Sequence, residues 1–341
     1  MLNAFVAGTG AFLPPRVVTN HELITDFGVD TTDDWIQQRT GIRERRFVEE
    51  GVGTSDLALE ASRVAIAKAG LEAAEIDLIV YATLSPEWAF PGGGVLLQEK
   101  LGLPQAGRFV PALDVRDQCS GFLYGLGTAT AMVRSGAARN VLVVGTEIHS
   151  TGLDLSARGR AVASLFGDGA GAVVIAATEA DRGVRTWRLG ADGRYADVLT
   201  QRIWDIRKRP FIHRNSEGLG VVPPEDMYAQ MNGRLVFRHA VTRLQEALEG
   251  VCGEEGMAPK DLDRVYFHQA NLRINQHVAE RLGLDPARVP SNIERYGNTT
   301  AATLPILLAE EEAAGRLERG MRVGLAAFGS GFTWGAAIVD W

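Results

Sequence analysis

Apolar and polar positions along the chain follow two periods. At 54–70 the apolar residues Leu57, Ala61, Val64 and Ala65 recur at helical spacing. Thr54 or Ser55 stands at the N-cap and Gly70 follows the last turn, so the spacing predicts a capped amphipathic helix. The stretches 2–9, 76–82 and 140–145 are short apolar runs, the last with Val141, Leu142, Val143 and Val144 in succession. Continuous apolar strands of this kind suit a sheet covered on both faces. Interleaved with helices, they predict an α/β layer fold. The stretch 190–226, which holds Arg207-Lys208-Arg209-Pro210 and Val221-Val222-Pro223-Pro224, follows neither period. It reads as a long loop or insertion, either a pocket wall or a surface excursion.

The pattern repeats itself. Phe166-Gly167-Asp168-Gly169 leads into Gly171-Ala172-Val173-Val174, and Phe328-Gly329-Ser330-Gly331 leads into Gly335-Ala336-Ala337-Ile338-Val339. Ile76-Asp77-Leu78-Ile79-Val80-Tyr81 is echoed by Leu262-Asp263-Arg264-Val265-Tyr266-Phe267, and Val110-Pro111 by Val289-Pro290. Three matches in one order predict an internal duplication, with halves at about 1–176 and 177–341.

Composition narrows the class. With 46% hydrophobic and 23% charged residues over 341 positions, the chain has the make-up of a folded core and not of a disordered one. A net charge of −7 argues against a nucleic-acid-binding face. No apolar run reaches membrane-span length, and the N-terminus lacks the basic flank of a signal peptide, so a cytoplasmic protein away from membranes is expected. Cysteine occurs only at 119 and 252, which excludes a disulfide framework or a cysteine-rich zinc site; no metal is expected.

The two cysteines differ in setting. Cys119 lies between an extended run, 109–115, and a small-residue helix, 121–133. At such a junction the helix dipole is expected to lower its pKa, although most free cysteines are small buried hydrophobes. Cys252 ends a helix among acidic residues and is read as structural. His268 follows the strand 264–267, at the strand end where α/β folds place ligands. His149 follows a strand without a partner motif, and His239 and His277 are read as surface or packing residues. Asn298 lies nine residues after Val289, as Cys119 does after Val110, and is read as its duplicated position. The Phe-Gly-Ser-Gly-Phe turn at 328–332 offers backbone N–H groups of the kind that form an oxyanion hole.

Six ordered motifs resemble β-ketoacyl-acyl carrier protein synthase III of the thiolase superfamily, over almost the whole chain. They are Asp-Asp-Trp-Ile-Gln-Gln-Arg-Thr-Gly-Ile-Arg-Glu-Arg-Arg (33–46), Cys-Ser-Gly-Phe (119–122), Phe-Gly-Asp-Gly-Ala-Gly-Ala (166–172), His-Gln-Ala-Asn-Leu-Arg-Ile (268–274), Gly-Asn-Thr (297–299) and Gly-Phe-Thr-Trp-Gly (331–335). The resemblance implies a duplicated, five-layered αβαβα thiolase-like fold. It implies a Cys119–His268–Asn298 triad, with the backbone of Cys119 and Ser330 as oxyanion donors. It implies an acyltransferase that loads Cys119 from an acyl-coenzyme A and then condenses that group with malonyl-coenzyme A or malonyl-acyl carrier protein, losing carbon dioxide. Trp35 and Arg39 match positions that bind the adenine end of coenzyme A. Arg160, with Arg158 as its alternative, matches another coenzyme contact. Asn271 and Arg273 match the pantetheine tunnel, and Phe90 a residue that reaches the acyl pocket of a partner subunit in a homodimer. Coenzyme A thioesters are substrates here, and no resident cofactor is expected.

Departures from the family point to a specialised relative in fatty-acid or secondary, polyketide-type metabolism. Arg116-Asp117-Gln118 and Ser120 flank the nucleophile where small apolar residues are common, Glu280 stands where a basic carrier-docking residue is often seen, and Arg234 where the family often has asparagine in the substrate tunnel. An acidic carrier would need a local basic patch, for which Arg238, Arg243, Arg273 and Arg281 are candidates. The alternatives are acyl transfer to an oxygen or nitrogen acceptor, or non-decarboxylative joining of two acyl-coenzyme A molecules with Glu87 as base. A thiol hydrolase fits the duplication poorly, and a non-enzymatic subunit would not need the nucleophile.

Overall fold

The computed structural model describes residues 2–203, 205–207 and 213–341. Its first sheet comprises β1 (Asn3–Phe12), β2 (Leu78–Ala82), β3 (Ala112–Val115), β4 (Asn140–Glu147) and β5 (Gly169–Thr178), in the spatial order β1-β5-β4-β2-β3. Strand β2 runs parallel to β3 and β4, and β5 runs antiparallel to β4 and β1. The second sheet comprises β6 (Gly183–Ala191), β7 (Arg264–Phe267), β8 (Arg322–Gly329) and β9 (Thr333–Asp340), in the order β6-β9-β8-β7. It too has a parallel pair, β7 with β8, followed by antiparallel pairs. The second order repeats the first four positions of the first sheet, strand for strand and direction for direction. Strand β5 runs on to Thr178 and β6 starts at Gly183, so the sheets are joined by the 179–182 turn and a division at 176/177 falls inside β5.

Helices fill three layers around these sheets. The helices used below are α1 (Asp33–Thr40), α2 (Thr54–Lys68), α3 (Gly121–Arg134), α4 (Gly233–Glu254), α5 (Leu272–Arg281) and α6 (Thr303–Ala313). Helices α3 and α6 lie between the sheets, where Phe122, Leu126 and Val133 meet Leu304 and Leu308 amid valines of both sheets. Small residues let α3 fit there: a Cβ on Gly125 would come within 3.0 Å of Val143, and one on Gly127 within 2.7 Å of Trp187. Helix α6 buries Leu304, Ile306, Leu307 and Leu308 together, so it is apolar nearly all round, as a central helix must be. Helix α2 covers the outer face of the first sheet, and α4 and α5 that of the second. In α2 the buried stripe is Leu57, Ala58, Ala61 and Ala65, while Val64 is exposed. Among the described residues no helix is long and apolar enough to cross a membrane.

The irregular stretch contributes to the pocket. Leu199–Thr200 pairs with Gln230–Met231, and this ladder places Leu199 and Met231 on the cavity wall. His213–Arg214 pairs with Gly220–Val221 further out. Of the basic run, Arg207 pairs with Asp205 at 2.7 Å, while Lys208, Arg209 and Pro210 lie outside the described residues.

Candidate active site

A cavity of about 570 Å³ opens between the halves, lined by Cys119, His268 and Asn298 at its depth and by Trp35, Arg39, Asn271 and Arg273 along its course. Cys119 comes from a short 3₁₀ turn, Gln118–Ser120, that enters α3 after β3. Gln118 holds φ of 45°, and the matching first residue of the turn before α6, Thr300, holds φ of 49°. These paired left-handed residues align the two helix entries. They correct the expected symmetry: the counterpart of Cys119 is Ala301, and Asn298 lies three residues earlier, opposite Arg116. Residue counting from the valines misses this because the connections differ in length.

Burial dominates the electrostatics of the nucleophile. The Cys119 thiol is pushed up to about 12 by burial, with the nearby Glu147 carboxyl adding to the effect. Burial thus opposes the lowering expected from the helix N-terminus. Backbone N–H groups of Cys119 and Ser330 work in the opposite direction, stabilising negative charge at the sulfur. Glu147 ends β4 behind the site and is itself pushed up to about 7 by burial, although Ser85 Oγ donates to it at 2.6 Å.

The turn carrying Ser330 approaches the nucleophile closely. A Cβ on Gly329 would lie 2.8 Å from Cys119 Cβ and 3.0 Å from its backbone nitrogen. Gly331 takes the positive φ of this turn, 130°, so serine is accommodated at 330. The Ser330 hydroxyl turns away and donates to the Leu199 carbonyl. Gly329→Ala is expected to displace Cys119 and slow its acylation at least about tenfold, measured as the rate of mass gain from an acyl thioester.

His268 follows β7 and is almost fully buried. Its Nδ1 is 2.6 Å from Thr303 Oγ1, while Nε2 has no protein partner among the described residues. Burial pushes the ring down to about 3, so it is neutral at physiological pH. Asn298 is strapped to the other half: its N–H donates to Leu165 O at 2.8 Å, and its carbonyl accepts from Gly167 N at 3.1 Å. Its Oδ1 accepts from Thr300 N at 2.8 Å, which leaves the Nδ2 donors for a ligand. His149 packs on Phe166 with ring centroids 4.4 Å apart and contacts Thr300 Oγ1, so it supports this loop from below.

At the rim, the Arg39 guanidinium lies 4.6 Å from the centroid of the Trp35 ring and that of Arg160 at 5.5 Å. A flat base stacking on Trp35 would displace one of them. Arg158 is held by Asp154 at 2.7 Å, while Arg160 donates to the Asp30 carbonyl at 3.4 Å. Asn271 caps α5 by accepting from Arg273 N at 2.9 Å and donates to Arg39 O at 2.9 Å. Phe90, Arg160 and Ser330 are not on the cavity lining. Phe90 is 85% exposed, so core packing does not explain it. Glu87 accepts from Ser55 N at 2.6 Å, capping α2 outside the cavity; a base role there is not supported. The sequence reading missed Phe166, Phe237 and Leu244 of the wall, and Thr303 behind His268.

Two layered sheets around paired central helices, with a cysteine, a histidine and an asparagine on one cavity, define a thiolase-fold condensing enzyme. Residues 113–193 match the model of 3-oxoacyl-[acyl-carrier-protein] synthase III, and residues 252–341 that of its C-terminal region. The β-ketoacyl-[acyl-carrier-protein] synthase III of Rhodospirillum rubrum is 43% identical over 99% of both chains. The crystal structure of 3-oxoacyl-[acyl-carrier-protein] synthase III from Aquifex aeolicus superposes with a TM-score of 0.86, at 37% identity over 99% of this chain and 100% of that one. The priming β-ketosynthase of the R1128 polyketide pathway gives a TM-score of 0.87, at 32% identity over 99% and 96%. The chain belongs to the β-ketoacyl-[acyl-carrier-protein] synthase III family. It is an enzyme of the condensing-synthase kind, forming a carbon–carbon bond by decarboxylative Claisen condensation in fatty-acid or polyketide-type biosynthesis.

Proposed function

We propose that Cys119, His268 and Asn298 carry this reaction, with an acyl-coenzyme A as the first substrate and a malonyl thioester on acyl carrier protein as the second. The single observation behind the reading is their convergence on one cavity, where His268 Nε2 is buried without a partner among the described residues and Thr300 N occupies Asn298 Oδ1. In the first step the Cys119 sulfur attacks the thioester carbon, and the thiol proton leaves with the departing coenzyme thiol. The N–H groups of Cys119 and Ser330 hold the transient oxyanion. In the second step the malonyl thioester oxygen takes hydrogen bonds from Nε2–H and Nδ2. Thr303 Oγ1 lies 2.6 Å from Nδ1 and 3.0 Å from the Thr300 carbonyl, and the step requires its one hydroxyl proton to be given to Nδ1, so that the histidine hydrogen stands on Nε2. Loss of carbon dioxide then leaves an enolate, whose carbon attacks the acyl carbonyl and expels the Cys119 sulfur. Neutral donors suit the step because negative charge develops only in the transition state.

Trp35, Arg39, Arg160, Asn271 and Arg273 form the coenzyme or carrier arm in this reading. Trp35→Ala is expected to raise KM for the acyl-coenzyme about tenfold while leaving kcat within about twofold, since stacking there is equal in ground and transition states. Steady-state kinetics with the coenzyme thioester checks this. A homodimer is supported by the outer edge of the first sheet. Strand β3 is its last strand, and Leu113, Phe109, Trp88 and Phe90 are exposed apolar residues in and near it. Incubation with acyl-coenzyme A, followed by malonyl-coenzyme A in one arm and malonyl-carrier protein in another, tests the function and distinguishes the donor. An acyl mass on Cys119 followed by a β-ketoacyl thioester supports it; acyl transfer without carbon dioxide release supports transfer to another acceptor.

A further inference from the structure

A chain of hydroxyl groups links the two turns that supply the oxyanion donors. Ser120 Oγ lies 3.1 Å from both the backbone carbonyl and Oδ2 of Asp117. On its other side it lies 2.6 Å from Thr333 Oγ1, which is 2.9 Å from the Ser330 carbonyl. Ser120 is buried and Thr333 nearly so, and the chain crosses from one half of the duplication to the other.

Each hydroxyl has one proton, so donation along this chain runs in one of two directions, toward Ser330 or toward Asp117, whose backbone carbonyl is a second acceptor for Ser120. With Asp117 protonated, the carboxyl donates to Ser120, Ser120 to Thr333, and Thr333 to the Ser330 carbonyl. With Asp117 ionised, Ser120 donates to the carboxylate and Thr333 to Ser120, and the Ser330 carbonyl loses its partner. We propose that Asp117, Ser120 and Thr333 are positioning residues whose hydroxyl relay reverses with the protonation of Asp117, holding the Ser330 oxyanion donor in line only in the protonated state. The proposal rests on the acyl-Cys119 reading above.

Burial moves Asp117 up to about 6, so the reversal falls within the working range. The titratable groups facing it are Cys119 on its own turn and Tyr124 on α3, each pushed up to about 12 and therefore neutral there. Glu147 on β4 faces Cys119, is pushed up to about 7 by burial, and is left in place in every variant, so the ratio compares enzymes that share it. Asparagine at 117 keeps a donor toward Ser120 at every pH.

The test is single-turnover acylation of Cys119 by an acyl-coenzyme A thioester, followed by intact mass from about pH 5 to 8. The ratio of wild-type to Asp117→Asn rates is expected near one at the acid end and to fall roughly tenfold toward the alkaline end, a fraction of the loss on removing a whole oxyanion donor. In a Thr333→Val background the same ratio is expected to be flat with pH, and Thr333→Ser is expected to restore the fall. A ratio that falls as steeply with valine at 333 means that the carboxylate acts through space, and the relay is wrong. A ratio flat in the wild-type background also overturns it. If wild-type Cys119 takes up no acyl group at any pH, the function reading fails and the relay with it.

Discussion

Alanine at His268 or Asn298 is expected to give an enzyme that loads an acyl group and then stalls. Acylation needs the Cys119 sulfur and the backbone donors of Cys119 and Ser330, none of which either substitution removes. Decarboxylation instead needs donors at the malonyl thioester oxygen. Each loss is expected to cost about 10²–10³-fold in product formation, with acylation changed by less than about threefold. His268→Gln, which keeps a donor, is expected to recover part of the rate. The same account fixes the charge of the ring. Because burial holds His268 at about 3, its ring resonances are expected to stay those of neutral imidazole from about pH 5 to 8. An NMR titration with a midpoint near 6.5 would contradict a neutral hydrogen-bond donor.

Cys119→Ala is expected to have the largest effect. With no sulfur there is no acyl-enzyme, and condensation falls by at least about 10⁴-fold. Malonyl decarboxylation is expected to persist, because His268 and Asn298 still face the cavity. Product assays and carbon dioxide release measured on the same sample separate the two. Loss of both activities together would mean that Cys119 holds the malonyl site in shape and does not simply carry the acyl group. Cys252, fully buried among residues of α4 and the second sheet, is expected to be replaceable by alanine without loss of acylation.

Layering was legible in the sequence because it follows from side-chain type. The apolar runs at 76–82 and 140–145 became β2 and β4, and Arg264–Phe267 became β7 without adjustment. The glycine turns at 166–169 and 328–331 marked equivalent strand junctions. What the sequence hid depends on backbone sign and on tertiary hydrogen bonds. The left-handed φ values at Gln118 and Thr300 belong to residue types that rarely adopt them, so the true counterpart of Cys119 could not be counted out. Arg45 stood within the coenzyme-arm motif as one of several arginines. It is fully buried, donating to Ser164 O at 3.0 Å beneath the strap that carries Asn298. His149 carried no motif signal, yet it lies against Phe166 and contacts Thr300. The upward pull of burial on Cys119 was hidden because position at a helix entry is visible in sequence and depth of burial is not. The Asp117–Ser120–Thr333 chain joins residues more than two hundred positions apart, which only the duplicated fold brings together.

The central claim is that one acyl group, held on Cys119, is extended with loss of one carbon dioxide. Its most direct test is a single turnover of acylated enzyme with malonyl-carrier protein labelled in the free carboxyl. The account predicts that the acyl mass leaves the Cys119 peptide in step with labelled carbon dioxide, one for one with β-ketoacyl product. Departure of the acyl mass without labelled carbon dioxide, or product formed while the mass remains on Cys119, would contradict it.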